Sequence, residues 1–200
     1  MSQILDMLTQ QLGGENMKKI GSQIGADENT TQGAISASLP LLLNAISKNA
    51  SNENGANDLS GALSRDHDGS ILDNLQGYLN NSDTSAGEGI LKHVLGSRQG
   101  TVQSGLSKSS SLDPSSIGKL MGMLAPVVMG TLGKVKREQN LDAQSLAGFL
   151  GKEKEEMERA EPNAMGFIGN LLDADHDGDV DASDLLKHGM SIFSKFFRGN

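Results

Sequence analysis

Apolar residues recur at helical spacing along almost the whole chain, and this periodicity constrains the fold more than any other sequence feature. Runs with strand-like alternation of β-branched or aromatic residues are absent. The strongest helix is predicted after Asp113 and Pro114, an N-cap followed by proline at the first helical position. Between Leu120 and Leu132 this segment carries no charge, so we expect a helix packed on all sides. The chain is therefore predicted to be all-α, a multi-helix bundle.

An internal repeat relates this helix to an earlier one. Asp27 precedes Pro40 by thirteen residues, as Asp113 precedes Pro126, and at this offset LPLLLNAISK aligns with APVVMGTLGK. The repeat predicts a pseudo-symmetric bundle with these two helices at its centre. Proline removes a backbone donor and disfavours helical geometry before it, so both helices are expected to kink or break there.

Two polar segments, 51–58 and 103–113, have the Ser-, Asn- and Gly-rich composition of linkers and are predicted to separate helices. Short helices are predicted over 59–64, 71–79 and 90–95. Two domains are expected, 1–160 and 161–200.

The composition excludes several classes of function. The chain has no cysteine, which rules out thiolate metal sites, disulfides and a cysteine nucleophile. A net charge of −8 and few aromatic residues argue against a nucleic-acid partner. The four histidines lack metalloenzyme spacing and no nucleophile or phosphate-binding motif occurs, so we expect a non-enzymatic protein. With no secretory signal or membrane-spanning run legible, a cytoplasmic location is expected.

Three stretches, IGSQIGADENTTQGAISASLPLLLNAISKNA, LSRDHDGSILDNLQGYL and GILKHVLGS, carry a resemblance to a known family. They resemble the bacterial YidB-like family, a domain of unknown function, over most of residues 1–150. The resemblance implies an all-helical fold and a bacterial source, and it brings no catalytic residues.

One segment has an explicit chemistry, the twelve-residue stretch DADHDGDVDASD at 173–184. Carboxylates occupy the ligand positions of an EF-hand calcium loop, Gly178 lies at the sharp turn and Val180 at the apolar position. The segment resembles an EF-hand and, because its last position is aspartate, a dockerin-type loop in particular. The predicted Ca²⁺ ligands, with Mg²⁺ as a competitor, are Asp173, Asp175, Asp177, Asp179 (backbone carbonyl), Asp181 (through water) and Asp184. The alternative is a solvated acidic turn without metal.

A second DHDG string, at 66–69, lacks the closing carboxylate because Leu75 occupies the last loop position. We interpret it as a turn that caps the helix predicted over 71–79. A hydrolase using Asp66, His67 and Asp68 is the least favoured hypothesis, because adjacent residues rarely converge on one point.

The last segment places an apolar stripe of Leu186, Met190, Phe193 and Phe197 opposite a basic face of Lys187, Lys195 and Arg198. Such a helix is expected to dock on its own bundle, or otherwise to bind a partner or a lipid interface. The function expected from these features is that of a calcium-binding helical protein that acts through protein–protein contacts, including contacts with copies of itself. The alternative is a membrane-surface or envelope-associated bundle with a structural calcium site.

Overall fold

The computed structural model describes residues 2–81 and 83–172, and all regular structure in these ranges is helical, which confirms the all-α prediction for them. The α-helices are α1 (Gln3–Leu12), α2 (Glu15–Ile24), α3 (Glu28–Asn49), α4 (Glu53–Arg65), α5 (Leu75–Asn80), α6 (Ser85–Leu95), α7 (Gln99–Ser110), α8 (Pro114–Glu138), α9 (Ala143–Ala160) and α10 (Pro162–Leu172). Two 3₁₀ helices, Ser70–Asn74 and Gly96–Arg98, precede α5 and α7.

Helix α8 forms the centre of the core. Its apolar residues from Ile117 to Val135 are buried, and it packs against α1, α2, α3, α4, α6 and α7. By length and composition α8 alone among the described helices could cross a membrane, but 83% of its most apolar window is buried inside the fold. The predicted all-round packing of this helix is therefore confirmed.

The contacts of the two long helices follow the internal repeat in part. Helix α2 packs against α3 as α7 packs against α8, whereas α1 contacts α8 and α6 contacts α3. The remaining cross-contacts are also reciprocal, α2 with α8 and α7 with α3. Both long helices begin at the predicted caps, because Asp27 accepts the Thr30 N–H at 2.8 Å and Asp113 accepts the Ser115 N–H at 2.9 Å. The contacts of α2, α3, α7 and α8 agree with the predicted repeat, but α6 packs extensively on α8 whereas α1 makes no comparable contact with α3.

Neither proline breaks its helix, so of the predicted kink or break only a kink is compatible with the structure. Pro40 and Pro126 both lie inside continuous helices and are buried. Burial on all sides supplies packing energy that offsets the lost hydrogen bond. At Pro126, which cannot donate to the Gly122 carbonyl, α6 approaches that carbonyl with Gly87, whose missing Cβ would lie 1.7 Å from the oxygen.

The two segments predicted as linkers are largely helical, which corrects those predictions. Helix α4 begins at Glu53 because the Asn52 side chain accepts the Gly55 N–H at 3.0 Å. Helix α7 continues to Ser110 because Val102, Gly105 and Leu106 face the core. Glycine permits the close approach of α4 to the end of α3, since a Cβ at Gly55 would lie 1.8 Å from the Asn49 carbonyl oxygen.

Helix α10 belongs to the same core, although it lies within the predicted second domain 161–200. Met165, Ile168, Leu171 and Leu172 are buried, and the helix packs against α3, α7 and α9. The Arg98 guanidinium donates to the Leu172 carbonyl at the end of the helix. The predicted calcium loop, 173–184, and the predicted terminal helix lie outside the described residues.

The single tyrosine of the chain supplies a spectroscopic test of the packing between α5 and α8. The Tyr78 hydroxyl donates to the Met123 carbonyl at 3.1 Å. Burial, reinforced by the negative charge of Asp83, raises the pKa of Tyr78 to about 12. We expect the phenolate absorbance of the folded protein to titrate near that value, and stability to fall as pH rises from about 10, where an unfolded tyrosine ionises. A midpoint near 10 in the folded protein would contradict this packing.

Candidate functional site

A cavity of about 850 Å³ lies between α4 and α6 and is floored by α3 and α8. We call it the α4–α6 groove. It is lined by Ile46, Asn49, Gly55, Asn57, Asp58, Leu59, Gly61, Ala62, Arg65, Asp66, His67, Ala86, Gly89, Ile90, His93, Val94 and Met129.

The floor of the groove is apolar and rigid. Ile46 from α3, Val94 from α6 and Met129 from α8 are buried there. The Asn49 side-chain amide donates to the Val94 carbonyl at 2.9 Å, which ties the end of α3 to the end of α6. The floor of the groove is therefore part of the packed core.

The walls of the groove carry small residues. Gly61 and Ala62 lie on α4, and Ala86 and Gly89 lie on α6. A Cβ added at Gly89 would meet nothing within 4 Å, so this part of the groove is open. Small side chains on both walls leave room for the large apolar side chains of a guest segment to reach the floor.

The rim is polar and mixes both signs of charge. Asp58 and Arg65 come from α4, Asp66 and His67 follow α4, and His93 lies on α6. Arg65 Nε lies 3.9 Å from Asp66 Oδ2, and both side chains are exposed. Such an exposed pair contributes little to stability.

The turn that carries Asp66 and His67 is seated on α8. Asp68 Oδ1 accepts the Ser70 N–H at 3.0 Å, which lowers the pKa of this carboxyl, and Gly69 adopts φ +100° against Lys134. A Cβ at Gly133 would lie 1.7 Å from the His67 carbonyl oxygen, so the turn fits only because α8 has glycine there. The predicted turn is present and Asp68 accepts the first N–H of the 3₁₀ helix Ser70–Asn74, but α5 is capped by Asn74, whose side chain accepts the Gly77 N–H at 3.1 Å.

The structure does not bring Asp66, His67 and Asp68 to one point. Asp66 and His67 line the α4–α6 groove, whereas Asp68 lines a second cavity of about 450 Å³ with Lys136 and Arg137. Within residues 2–81 and 83–172 no group of three or more His, Asp or Glu side chains could hold a metal ion. All six predicted calcium ligands, from Asp173 to Asp184, lie outside the described residues and stay predictions.

His67 makes stability depend on pH. Burial lowers its pKa, and the nearby Asp66 carboxylate opposes that shift only in part. Because the unfolded histidine takes up a proton near pH 6.5, the folded protein should lose stability as pH falls below that value, until the folded form is also protonated. In urea unfolding between pH 7.5 and pH 5.5, we expect His67→Gln to lose less stability than the unmodified chain does. An unchanged pH dependence in His67→Gln would contradict this role, and His93→Gln, which removes an exposed histidine of the same rim, is the matched control.

Sequence reasoning did not identify the groove. Its floor residues Ile46 and Met129 lie far apart in the sequence, and each looks like an ordinary core position in its own helix. Gly89 carries no side chain and gives no local signal in the sequence. The His67 string was the only sequence feature that pointed toward this region.

Comparisons with known proteins identify a family but no characterised relative. No curated protein and no solved structure matches the chain. The family that matches is described as "Bacterial protein of unknown function (DUF937)" and covers residues 6–135, a range that holds the entire groove and ends within α8. The match confirms the expected relation to a bacterial family of unknown function, and the chain belongs to this family.

Proposed function

We propose that this protein is a non-catalytic, calcium-binding helical protein that acts through protein–protein contacts, including contacts with its own copies. The observation that carries the proposal is the acidic loop 173–184, which places a carboxylate at each side-chain ligand position of a calcium loop and glycine at the turn. Six carboxylates in twelve residues repel one another unless a cation neutralises them.

The helix that leads into this loop supports the proposal. Helix α10 comes directly before the acidic loop in the sequence, as the incoming helix of a helix–loop–helix would. It is anchored in the core by Ile168 and Leu171, and Arg98 holds its last carbonyl. An ion bound next to this end would therefore restrain a helix that belongs to the core, so calcium is expected to stabilise the whole fold.

The burial of α8 favours protein contacts over a membrane role. The helix with the composition of a membrane span is the core of the bundle and has no free apolar face to insert. We therefore expect partners to bind the surface of the bundle or the C-terminal region.

Calorimetric titration of the full chain with Ca²⁺ tests the proposal. We expect one ion per chain, and at a calcium concentration of 100 times Kd a rise of about 2.7 kcal/mol in the free energy of unfolding. The variant Asp173→Ala/Asp184→Ala should lose both effects. The matched control Asp66→Ala/Asp73→Ala removes the same charge from exposed carboxylates of the described fold and should retain them.

Two results would overturn parts of this proposal. Absence of binding at millimolar calcium, or equal binding by both double variants, would reduce the loop to an acidic turn. Sedimentation of the full chain with calcium and with chelator tests self-contact, and a monomer in both buffers at high protein concentration would remove that part.

A further inference from the structure

We propose that the α4–α6 groove is the docking site of the chain's own C-terminal segment, residues 185–198, which enters it in cis from the end of α10. This inference is independent of calcium binding by the loop that connects the two.

The groove has the chemistry of a site for an amphipathic helix. Its buried floor is apolar at Ile46, Val94 and Met129, and its walls carry glycine and alanine. A volume of about 850 Å³ accommodates several large side chains. Helix-in-groove recognition uses an apolar floor of this kind together with anchors spaced along one face of the guest.

The C-terminal segment carries such anchors. Leu186, Met190, Phe193 and Phe197 recur at helical spacing, and three of the five phenylalanines of the chain lie in its last eight positions. Among the described residues, the buried apolar side chains are those of Leu, Ile, Val, Met, Ala and Pro, and none is a phenylalanine. A cluster of phenylalanines in water would be unfavourable, because each aromatic side chain gains by burying its large apolar surface.

The exit point of the described chain favours docking in cis. The Leu172 carbonyl accepts a hydrogen bond from Arg98, and Arg98 follows the groove residue Val94 by only four positions in the sequence. The twelve residues 173–184 span at most about 40 Å when extended, and less when they fold around an ion. A short tether of this kind raises the local concentration of the segment to the millimolar range.

The charges of the two partners are compatible. Asp58 and Asp66 lie on the α4 side of the rim, and Arg65 is already paired with Asp66. The basic face opposite the apolar stripe is broad, and at about 100° per residue Lys187 and Arg198 lie at its edges, roughly a quarter turn from the stripe, where they would face a rim. Lys195 falls on the far side and would remain in solvent.

The absence of tryptophan and cysteine makes a clean experiment possible in the full chain. Phe197→Trp introduces a single indole at the proposed contact. In the docked chain we expect blue-shifted emission and protection from acrylamide quenching, independent of protein concentration.

Filling the groove should release the indole. Gly89→Leu in the Phe197→Trp background adds a side chain where the structure has open space, and it should shift emission to longer wavelength and increase quenching. Ala86→Leu, on the same exposed wall, is a second blocking variant. Gly148→Leu in α9 is the matched control, because Gly148 is also open but lies outside the groove, and it should leave emission unchanged.

The measurement is made with calcium and with chelator. Release of the indole by both blocking variants, but not by Gly148→Leu, in either buffer would support the proposal. An indole that is fully quenched in both buffers, or equally protected in all variants, would overturn it. Protection that is lost on dilution would show docking in trans on a second copy and would overturn the cis arrangement.

Discussion

Gly87→Ala is expected to destabilise the protein by more than about 3 kcal/mol, although it adds only one methyl group. A Cβ at Gly87 would lie 1.7 Å from the Gly122 carbonyl oxygen and 2.8 Å from the Gly122 Cα. These atoms are backbone of the central helix α8, so they cannot move aside as a flexible side chain would. The change would force α6 and α8 apart along the most extensive helix pair in the fold.

The Gly122 carbonyl explains why the contact is so close. Pro126 has no N–H to donate to this oxygen, so its normal helical partner is missing. The approach of Gly87 allows a weak Cα–H···O contact in its place. Alanine would lose this contact as well as introduce the clash.

Chemical denaturation of Gly87→Ala against the unmodified chain measures this effect. Gly148→Ala is the matched control, since it is also a helical glycine but has open space at its Cβ. There alanine should raise stability by about 0.5–1 kcal/mol, because glycine is a poor helix former. If Gly87→Ala stayed within about 0.5 kcal/mol of the unmodified chain, the close packing of α6 on α8 would be wrong.

Glu153→Ala is expected to cost about 3 kcal/mol, the second large effect. Glu153 is 5% exposed, and its carboxylate accepts the Gln3 N–H at 3.2 Å and the Ile4 N–H at 3.0 Å at the start of α1. It also accepts the hydroxyl of Ser2, whose oxygen in turn accepts the Leu5 N–H at 3.2 Å. Removing the carboxylate leaves these helix-initiating donors without their partner in the core.

The free energy of unfolding of three variants tests this role. Glu153→Gln keeps an acceptor oxygen but loses the charge, so it should fall between Glu153→Ala and the unmodified chain. Glu155→Ala is the control, because Glu155 forms an exposed pair with Arg159 at 3.0 Å and its removal should cost less than about 0.5 kcal/mol. Equal effects of Glu153→Ala and Glu155→Ala would refute the cap.

This cap joins the start of α1, just before the family region, to a helix that follows that region. Glu153 lies in α9, beyond the matched range 6–135, yet it holds the first turn of the chain. Helices α9 and α10 also pack on α3. In this protein the described residues after the family region, up to Leu172, are thus part of one core with it.

Local sequence patterns determined the parts of the fold that depend on neighbouring residues. Asp27 and Asp113 cap helices as predicted, because a cap needs only an oxygen and an N–H two or three residues away. The helical apolar spacing of α8 predicted its burial, and the acidic loop 173–184 predicts a metal site from one continuous stretch. The repeat predicted corresponding places for α3 and α8, and their packing against α2 and α7 agrees with it, whereas their other neighbours differ.

Tertiary structure decided the elements whose stability comes from distant contacts. Residues 53–58 and 103–110 have the composition of linkers, yet they form helix because distant residues pack against their glycines. The Asn49 backbone lies where a side chain at Gly55 would be, and the Leu171 side chain lies where one at Gly105 would be. The sequence did not indicate α9, whose charged surface conceals the inward-facing Glu153. The groove is likewise built from α3, α4, α6 and α8, so no short pattern could reveal it. A local pattern records which residues can begin or continue a helix, whereas the buried carboxylate, the glycine contacts and the groove exist only where separate helices meet.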